Sequence, residues 1–304
     1  MVSSASRRQF LLAGGAATVG LLAAHPARAI DPIRRTGKPK FKFSLAAYSY
    51  RDLLIGESPT LTLADFIDDC AKMGLEGTEL TSYYFPPDPT PDYLRRLKEQ
   101  TFRLGLDISG TAVGNDFCHP PGEARNKQIQ FVKQWVDRAE LLGAPVIRIF
   151  SGQAKPGQSE ADAHRLAVEA IEQCCAYAGQ HGIFLALENH GGLTATADGL
   201  LRLVEDVKSE WFGVNVDTGN FHSADPYAEL ARIAPYAVNV QVKVSMNPGG
   251  GKQEPADYRR LATMLAGTGY RGYIVLEYEE KEDPREACPR HIDELRKAFA
   301  DNGR

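Results

Sequence analysis

Leu185-Ala186-Leu187-Glu188-Asn189-His190-Gly191-Gly192 begins as an apolar run suited to a buried strand. It ends in a carboxylate, an amide, an imidazole and two glycines. An ionised carboxylate closing an apolar strand is costly unless a cation pairs with it or the strand end opens into water. Other apolar runs end the same way: Val214-Asn215-Val216-Asp217, Val240-Gln241-Val242-Lys243 and Ile274-Val275-Leu276-Glu277. The fold must explain that repetition.

Working outward, one unit recurs along the chain: an amphipathic helix, a glycine, a short β-rich run, a polar loop. Gly74, Gly105, Gly143, Gly182 and Gly269 each close a helical segment and read as left-handed C-terminal caps. Thr90 followed by Pro91, Ser159 and Thr196 read as helix N-caps. Strands are expected at 41–50, 77–81, 106–113, 146–150, 183–188, 213–217, 238–244 and 273–278, each followed by helix, the last at 284–299. Strict alternation implies a parallel sheet, and eight units in roughly 250 residues match an α/β fold of the (β/α)8 barrel type. No Gly-x-Gly-x-x-Gly follows the first strand, which disfavours a doubly wound open sheet. Residues 30–304 read as one domain, with 86–89 and 247–251 as loops within it.

The 304 residues are 43% hydrophobic and 24% charged, an ordinary soluble profile. A net charge of −4 argues against a nucleic-acid partner. The five cysteines include no Cys-x-x-Cys pair and read as core thiols. Residues 1–29 read as a twin-arginine export signal that is removed. Ser6-Arg7-Arg8-Gln9-Phe10-Leu11-Leu12 carries the arginine pair. An apolar run over 10–24, too short to span a bilayer, and the cleavage site Ala27-Arg28-Ala29 follow it. The mature chain would start at Ile30, with its charge moved from −4 to −7. It would reach the periplasm folded, its cofactor loaded beforehand, with no stable membrane insertion.

In such a barrel the chemistry sits at the C-terminal ends of the strands. Side chains alternate between the interior and the helix layer, so parity sorts them. Leu185, Leu187, Val214, Val216, Val240, Val242, Ile274 and Leu276 take the helix side. Glu188, Asp217, Gln241 and Glu277 then meet at one mouth, with Lys243 of the same parity. Three carboxylates and an amide oxygen repel unless compensated, and a hard divalent cation resolves this. All-oxygen ligation without a thiolate favours one Mn²⁺ or Mg²⁺, with Co²⁺ or Zn²⁺ able to bind. Singly, each residue reads as a solvated strand-end group; four in register favour the metal. Earlier strands add Tyr48 and Tyr50, Glu79 and Thr81, Asn115 and Asp116, and Arg148. Arg148 either holds a substrate oxyanion or pairs with Glu79. Glu79 reads as a partnered carboxylate before it reads as a base.

These residues resemble the xylose-isomerase-like sugar isomerase/epimerase superfamily, which includes tagatose 3-epimerases, hydroxypyruvate isomerases, inosose-processing enzymes and endonuclease IV. The resemblance spans about 40–299. It rests on Leu187-Glu188-Asn189, Val216-Asp217-Thr218-Gly219-Asn220, Val240-Gln241-Val242-Lys243 and Leu276-Glu277-Tyr278-Glu279. It implies a TIM barrel with Glu188, Asp217, Gln241 and Glu277 as metal ligands. Many members carry His where Gln241 stands; hydroxypyruvate-isomerase-like members carry Gln. The family's frequent His after the sixth-strand Asp is Asn220 here, with His222 two positions on. Endonuclease IV needs a His-rich multinuclear site, which an acidic chain with seven His does not suit.

The resemblance further implies Glu188 and Glu277 as proton carriers in an ene-diolate isomerase or epimerase of a sugar or keto-sugar. Tyr48, Glu79, Asn115, Arg148, His190, Asn220 and Lys243 form the candidate substrate-binding set. His190 is either a substrate ligand or acid/base, or a loop histidine capping backbone. Gly249-Gly250-Gly251-Lys252 reads as a turn or lid before a phosphate cradle. The partner expected is a small carbohydrate; homo-oligomer formation stays open. Two rivals remain: a lyase acting on a 3-keto-glycoside or dehydroshikimate-like acid, and a non-catalytic sugar-binding barrel.

Overall fold

Gly74, Gly105, Gly143, Gly182 and Gly269 all adopt left-handed backbone, with φ between +64° and +79°. Each turns the chain from a helix back to the sheet as expected. The expected N-caps are also present. Thr90 Oγ1 accepts from Tyr93 N, Ser159 Oγ from Asp162 N, and Thr196 Oγ1 from Gly199 N. This is a computed structural model, and it describes residues 30–56 and 59–301. The expected export signal at 1–29 lies outside the described residues.

The strands are β1 (Lys40–Ala46), β2 (Gly77–Thr81), β3 (Asp107–Ala112), β4 (Val146–Ile149), β5 (Phe184–Glu188), β6 (Phe212–Asp217), β7 (Ala237–Lys243), β8 (Ser245–Met246), β9 (Glu254–Pro255) and β10 (Arg271–Glu277). Eight of them close a parallel barrel in the order β1-β10-β7-β6-β5-β4-β3-β2. The helices are α1 (Arg51–Leu54), α2 (Leu63–Lys72), α3 (Pro91–Arg103), α4 (Glu123–Leu142), α5 (Glu160–Gln180), α6 (Ala197–Asp206), α7 (Pro226–Ile233), α8 (Tyr258–Gly267) and α9 (Pro284–Phe299). Their apolar stripes cover the outward faces of the strands, as Ile129, Val132, Trp135 and Val136 of α4 do. All five cysteines are free and buried in this layer or its loops. Among the described residues no helix is long and apolar enough to cross a membrane.

Two local expectations are corrected. The first strand ends at Ala46, not at residue 50, and Ala47–Tyr50 is a 3-10 turn. Ser49 fixes that turn: its Oγ accepts from Tyr278 N at 2.9 Å. Tyr50 therefore leaves the barrel interior and packs edge-on against Phe66 of α2. The loop after β7 is a small hairpin, in which β8 pairs antiparallel with β9 around Asn247-Pro248-Gly249-Gly250-Gly251.

Candidate active site

The barrel interior is polar. Four side chains from three strands form a closed hydrogen-bonded ring across it. Gln241 Nε2 donates to Glu79 Oε1 at 2.6 Å, and Asn239 Nδ2 donates to Glu79 Oε2 at 2.9 Å. Asn239 Nδ2 also donates to Asn215 Oδ1 at 2.9 Å, and Asn215 Nδ2 donates to Gln241 Oε1 at 2.6 Å. All four residues are buried. Burial pushes the Glu79 carboxyl up to about 7; the Glu277 charge adds to this, and the amide donors oppose it. Glu79 is thus a partnered carboxylate, and its partners are amides rather than Arg148.

Above the ring lie the strand-end groups. Glu188 is buried, with Arg148 Nε 2.8 Å from its Oε2. Asn220 Nδ2 donates to Glu188 Oε1 at 3.0 Å, and Asn215 Nδ2 approaches Oε2 at 3.4 Å. Burial raises the Glu188 carboxyl to about 7 against the pull of Arg148. Arg148 sits on β4, whose neighbour is β5 with Arg148 opposite Ala186. Glu188 is two residues further on the same face, so it is nearer in register than Glu79 on β2. Arg148 also donates from Nη1 to Val113 O at 2.7 Å.

Asp217 and Glu277 share Lys243. The ammonium lies 2.5 Å from Glu277 Oε2, 2.9 Å from Glu279 Oε1 and 3.3 Å from Asp217 Oδ2. Burial pushes Asp217 well above its ordinary range, with Lys243 opposing and the Glu188 and Glu277 charges reinforcing. Burial acts the same way on Glu277, but Lys243 overcomes it and holds that carboxyl low. Asp217 is positioned through its backbone by Asn189, which donates from Nδ2 to Asp217 O and accepts at Oδ1 from Asp217 N, both at 2.9 Å.

The rest of the predicted substrate set divides. Tyr48 leaves the strand for the turn after β1, yet its ring still stands 5.9 Å from the Lys243 ammonium. Asn115 bridges the Phe150 backbone through both ends of its amide, at 2.8 and 3.0 Å, and so positions a loop. His190 is exposed as a whole residue, but one side of its imidazole is covered: the ring lies 4.3 Å from that of Phe150, whose face also carries the Arg148 guanidinium. Its backbone N–H donates to Thr194 Oγ1 at 2.9 Å. Burial, then the nearby Arg148 charge, lowers the imidazole pKa. A cleft of about 300 Å³ opens over Lys243 and Glu277 and is lined by Asn220, His222, Asn247 and Glu280. Glu279, Asn189, Asn215 and Asn239 are outside the predicted set. The polar inward positions of Asn215 and Asn239 are visible in the alternation; Asn189 and Glu279 follow their strands and carry no such signal.

A divalent ion can be tested against these groups. Glu188, Asp217 and Glu277 are three buried carboxylates that close β5, β6 and β10 with no thiolate among them, a donor set whose chemistry suits a hard cation. Asp217 Oδ2 is buried without a hydrogen bond. Both features fit such an ion. Two others show what occupies the carboxylates here. Gln241 Oε1 faces Asn215, and Lys243 stands where Asp217 and Glu277 meet. Among the described residues no group of three His, Cys, Asp or Glu stands arranged to hold a metal ion.

The profile of the xylose isomerase-like TIM barrel family matches residues 67–298. No curated protein matches the chain. D-psicose 3-epimerase with D-tagatose from Clostridium cellulolyticum H10 superposes with a TM-score of 0.69 at 16% identity, over 85% of this chain and 99% of that one. 3-Keto-D-glucoside 4-epimerase from E. coli gives 0.66 at 16% identity, over 86% and 100%. The probable 3-DHS dehydratase of petrobactin synthesis from Bacillus anthracis gives 0.63 at 18%, over 84% and 98%. At these identities the likeness is one of fold. The match over 67–298 decides membership: the chain belongs to the xylose isomerase-like TIM barrel family.

Proposed function

We propose that this protein is a divalent-metal-dependent isomerase or epimerase of an unphosphorylated sugar or keto-sugar, exported to the periplasm by the twin-arginine route. The observation that carries the reading is the pair of buried carboxylates, Glu188 on β5 and Glu277 on β10. Strands β6 and β7 separate them around the barrel, so they approach the mouth from different sides. Two carboxylates so placed can remove a C–H proton and return one on another face or carbon.

Glu188, Asp217 and Glu277 would hold the ion, with Gln241 joining once its amide oxygen leaves Asn215. A bound divalent ion supplies Lewis acidity toward neighbouring carbonyl and hydroxyl oxygens. The protein's groups do the rest. Arg148 fixes the Glu188 carboxylate from β4 and holds its lower oxygen. Asn220 holds the other oxygen and yields it to a substrate hydroxyl. Asn189 keeps Asp217 in register. His190 and Lys243 lie beside the substrate's oxygens. Mn²⁺ or Mg²⁺ fits the oxygen-rich set best.

The test is a product screen. The purified protein with Mn²⁺ is incubated with free ketoses and 3-keto-glucosides and followed by NMR. An epimer or aldose–ketose partner is expected, and it should disappear with Glu277→Gln. An unsaturated elimination product in its place would make the protein a lyase. Binding of a sugar without any turnover would reduce it to a binding barrel.

A further inference from the structure

Lys243 runs along a built slot. Its stem passes Gly219, where a Cβ would lie 2.5 Å from Lys243 Cγ, so any side chain at 219 would close the passage. The ammonium meets carboxylates at two depths. Asp217 and Glu277 are buried below, whereas the Glu279 side chain is 43% exposed at the rim. Lys243 is already 2.9 Å from Glu279 Oε1.

Two cations cannot share the oxygens of Asp217 and Glu277, because like charges a few ångströms apart repel strongly in a buried site. We propose that Lys243 is a tethered counter-cation that competes with the divalent ion for Asp217 and Glu277, and that Glu279 receives its ammonium when the ion enters. This rests on the metal-dependent reading above. Without the ion, Lys243 neutralises the buried carboxylates and keeps the mouth folded. With it, the ammonium swings outward along the slot to the rim, into the cleft beside Glu280 and Asn247. The protein thus tolerates the empty state, and it binds metal more weakly than its carboxylates alone would allow.

The purified protein is stripped with EDTA, dialysed and titrated with Mn²⁺ by calorimetry. Lys243→Met is expected to bind Mn²⁺ at least tenfold more tightly than the unsubstituted protein, with Glu188→Gln abolishing binding as the control for location. Glu279→Gln is expected to weaken Mn²⁺ several-fold, and to do so less when Lys243 is already Met. If the unsubstituted protein binds Mn²⁺ in a Glu188-dependent way and Lys243→Met binds no tighter, the metal reading stands and the competition is overturned. If neither binds Mn²⁺, the metal reading fails and the competition with it. Where Lys243→Met is too unstable in EDTA to titrate, thermal melting replaces calorimetry. Its Tm should then rise more on adding Mn²⁺ than that of the unsubstituted protein, and equal rises would overturn the proposal.

Discussion

Arg148 and Glu188 show how tightly the site is balanced. The pair is buried, and removing one member leaves an uncompensated charge. Arg148→Met should cost about 3–5 kcal/mol in urea unfolding of the ion-free protein. Arg148→Lys should recover only part, because it lacks the fork that reaches both Glu188 and Val113. A loss below about 1 kcal/mol, the range of exposed pairs, would show that Glu188 has another cation. Glu79 gives a pH signature. Its carboxyl is raised from 4.5 to about 7, so the folded protein binds that proton more tightly than the unfolded chain. The Glu79 contribution to stability therefore falls as pH rises through this window and is flat above it. Glu79→Gln abolishes that fall. Its unfolding free energy relative to the parent should grow with pH, by on the order of 3 kcal/mol in total. Parallel pH profiles would contradict this. The carboxylates at the mouth were legible because alternation sorts a strand into two faces. The ring around Glu79 was not, because the stagger between β2 and β7 across the barrel leaves no trace in either strand. The partner of Arg148 depended in the same way on register.

Among the elements, the signals with a local cause were readable. A glycine needed at positive φ marks a helix end wherever it stands, and five such ends appear in the structure. Gly182 tests this cleanly. Its φ is +67° and a Cβ would meet nothing within 4 Å, so Gly182→Ala carries only the backbone cost. A loss of about 1 kcal/mol is expected in urea unfolding, with turnover unchanged. Gly219→Ala should behave in the opposite way. Its backbone is unstrained, but its Cβ would push Lys243 off the mouth carboxylates, so turnover should suffer out of proportion to stability. Equal effects on both measures would mean that Lys243 is not held by the slot. The end of β1 and the β8–β9 hairpin escaped the sequence reading. Ser49 terminates β1 through a partner more than two hundred residues away. The hairpin strands have two residues each, too few for any alternation to register.

At the scale of the molecule, the helix layer and the barrel interior use different physics. Outside the barrel wall, packing of Leu, Val, Ile and Phe supplies the hydrophobic stabilisation. Inside, where barrels usually stack branched apolar side chains, this one stacks amides and charges. Every carboxylate there has a partner from the chain itself. Such an interior is held in place by the wall and costs stability wherever a partner is lost. That cost is consistent with an interior kept for chemistry at the mouth, where Glu277 lines the cleft and Glu188 is buried beside Asn220 of its wall. The eight-strand alternation was legible because each unit repeats the same helix, glycine and strand signals. The chemistry at the mouth is the central claim, and solvent isotope exchange reaches it most directly. The protein, supplied with Mn²⁺, is incubated in D₂O with unphosphorylated ketoses and 3-keto-glucosides, and the sugars are analysed by NMR. Deuterium should enter a single C–H position next to the carbonyl of one substrate, and Glu188→Gln and Glu277→Gln should each abolish it. A sugar that is turned over without taking up any deuterium, or an exchange that survives both substitutions, would contradict proton transfer by this pair.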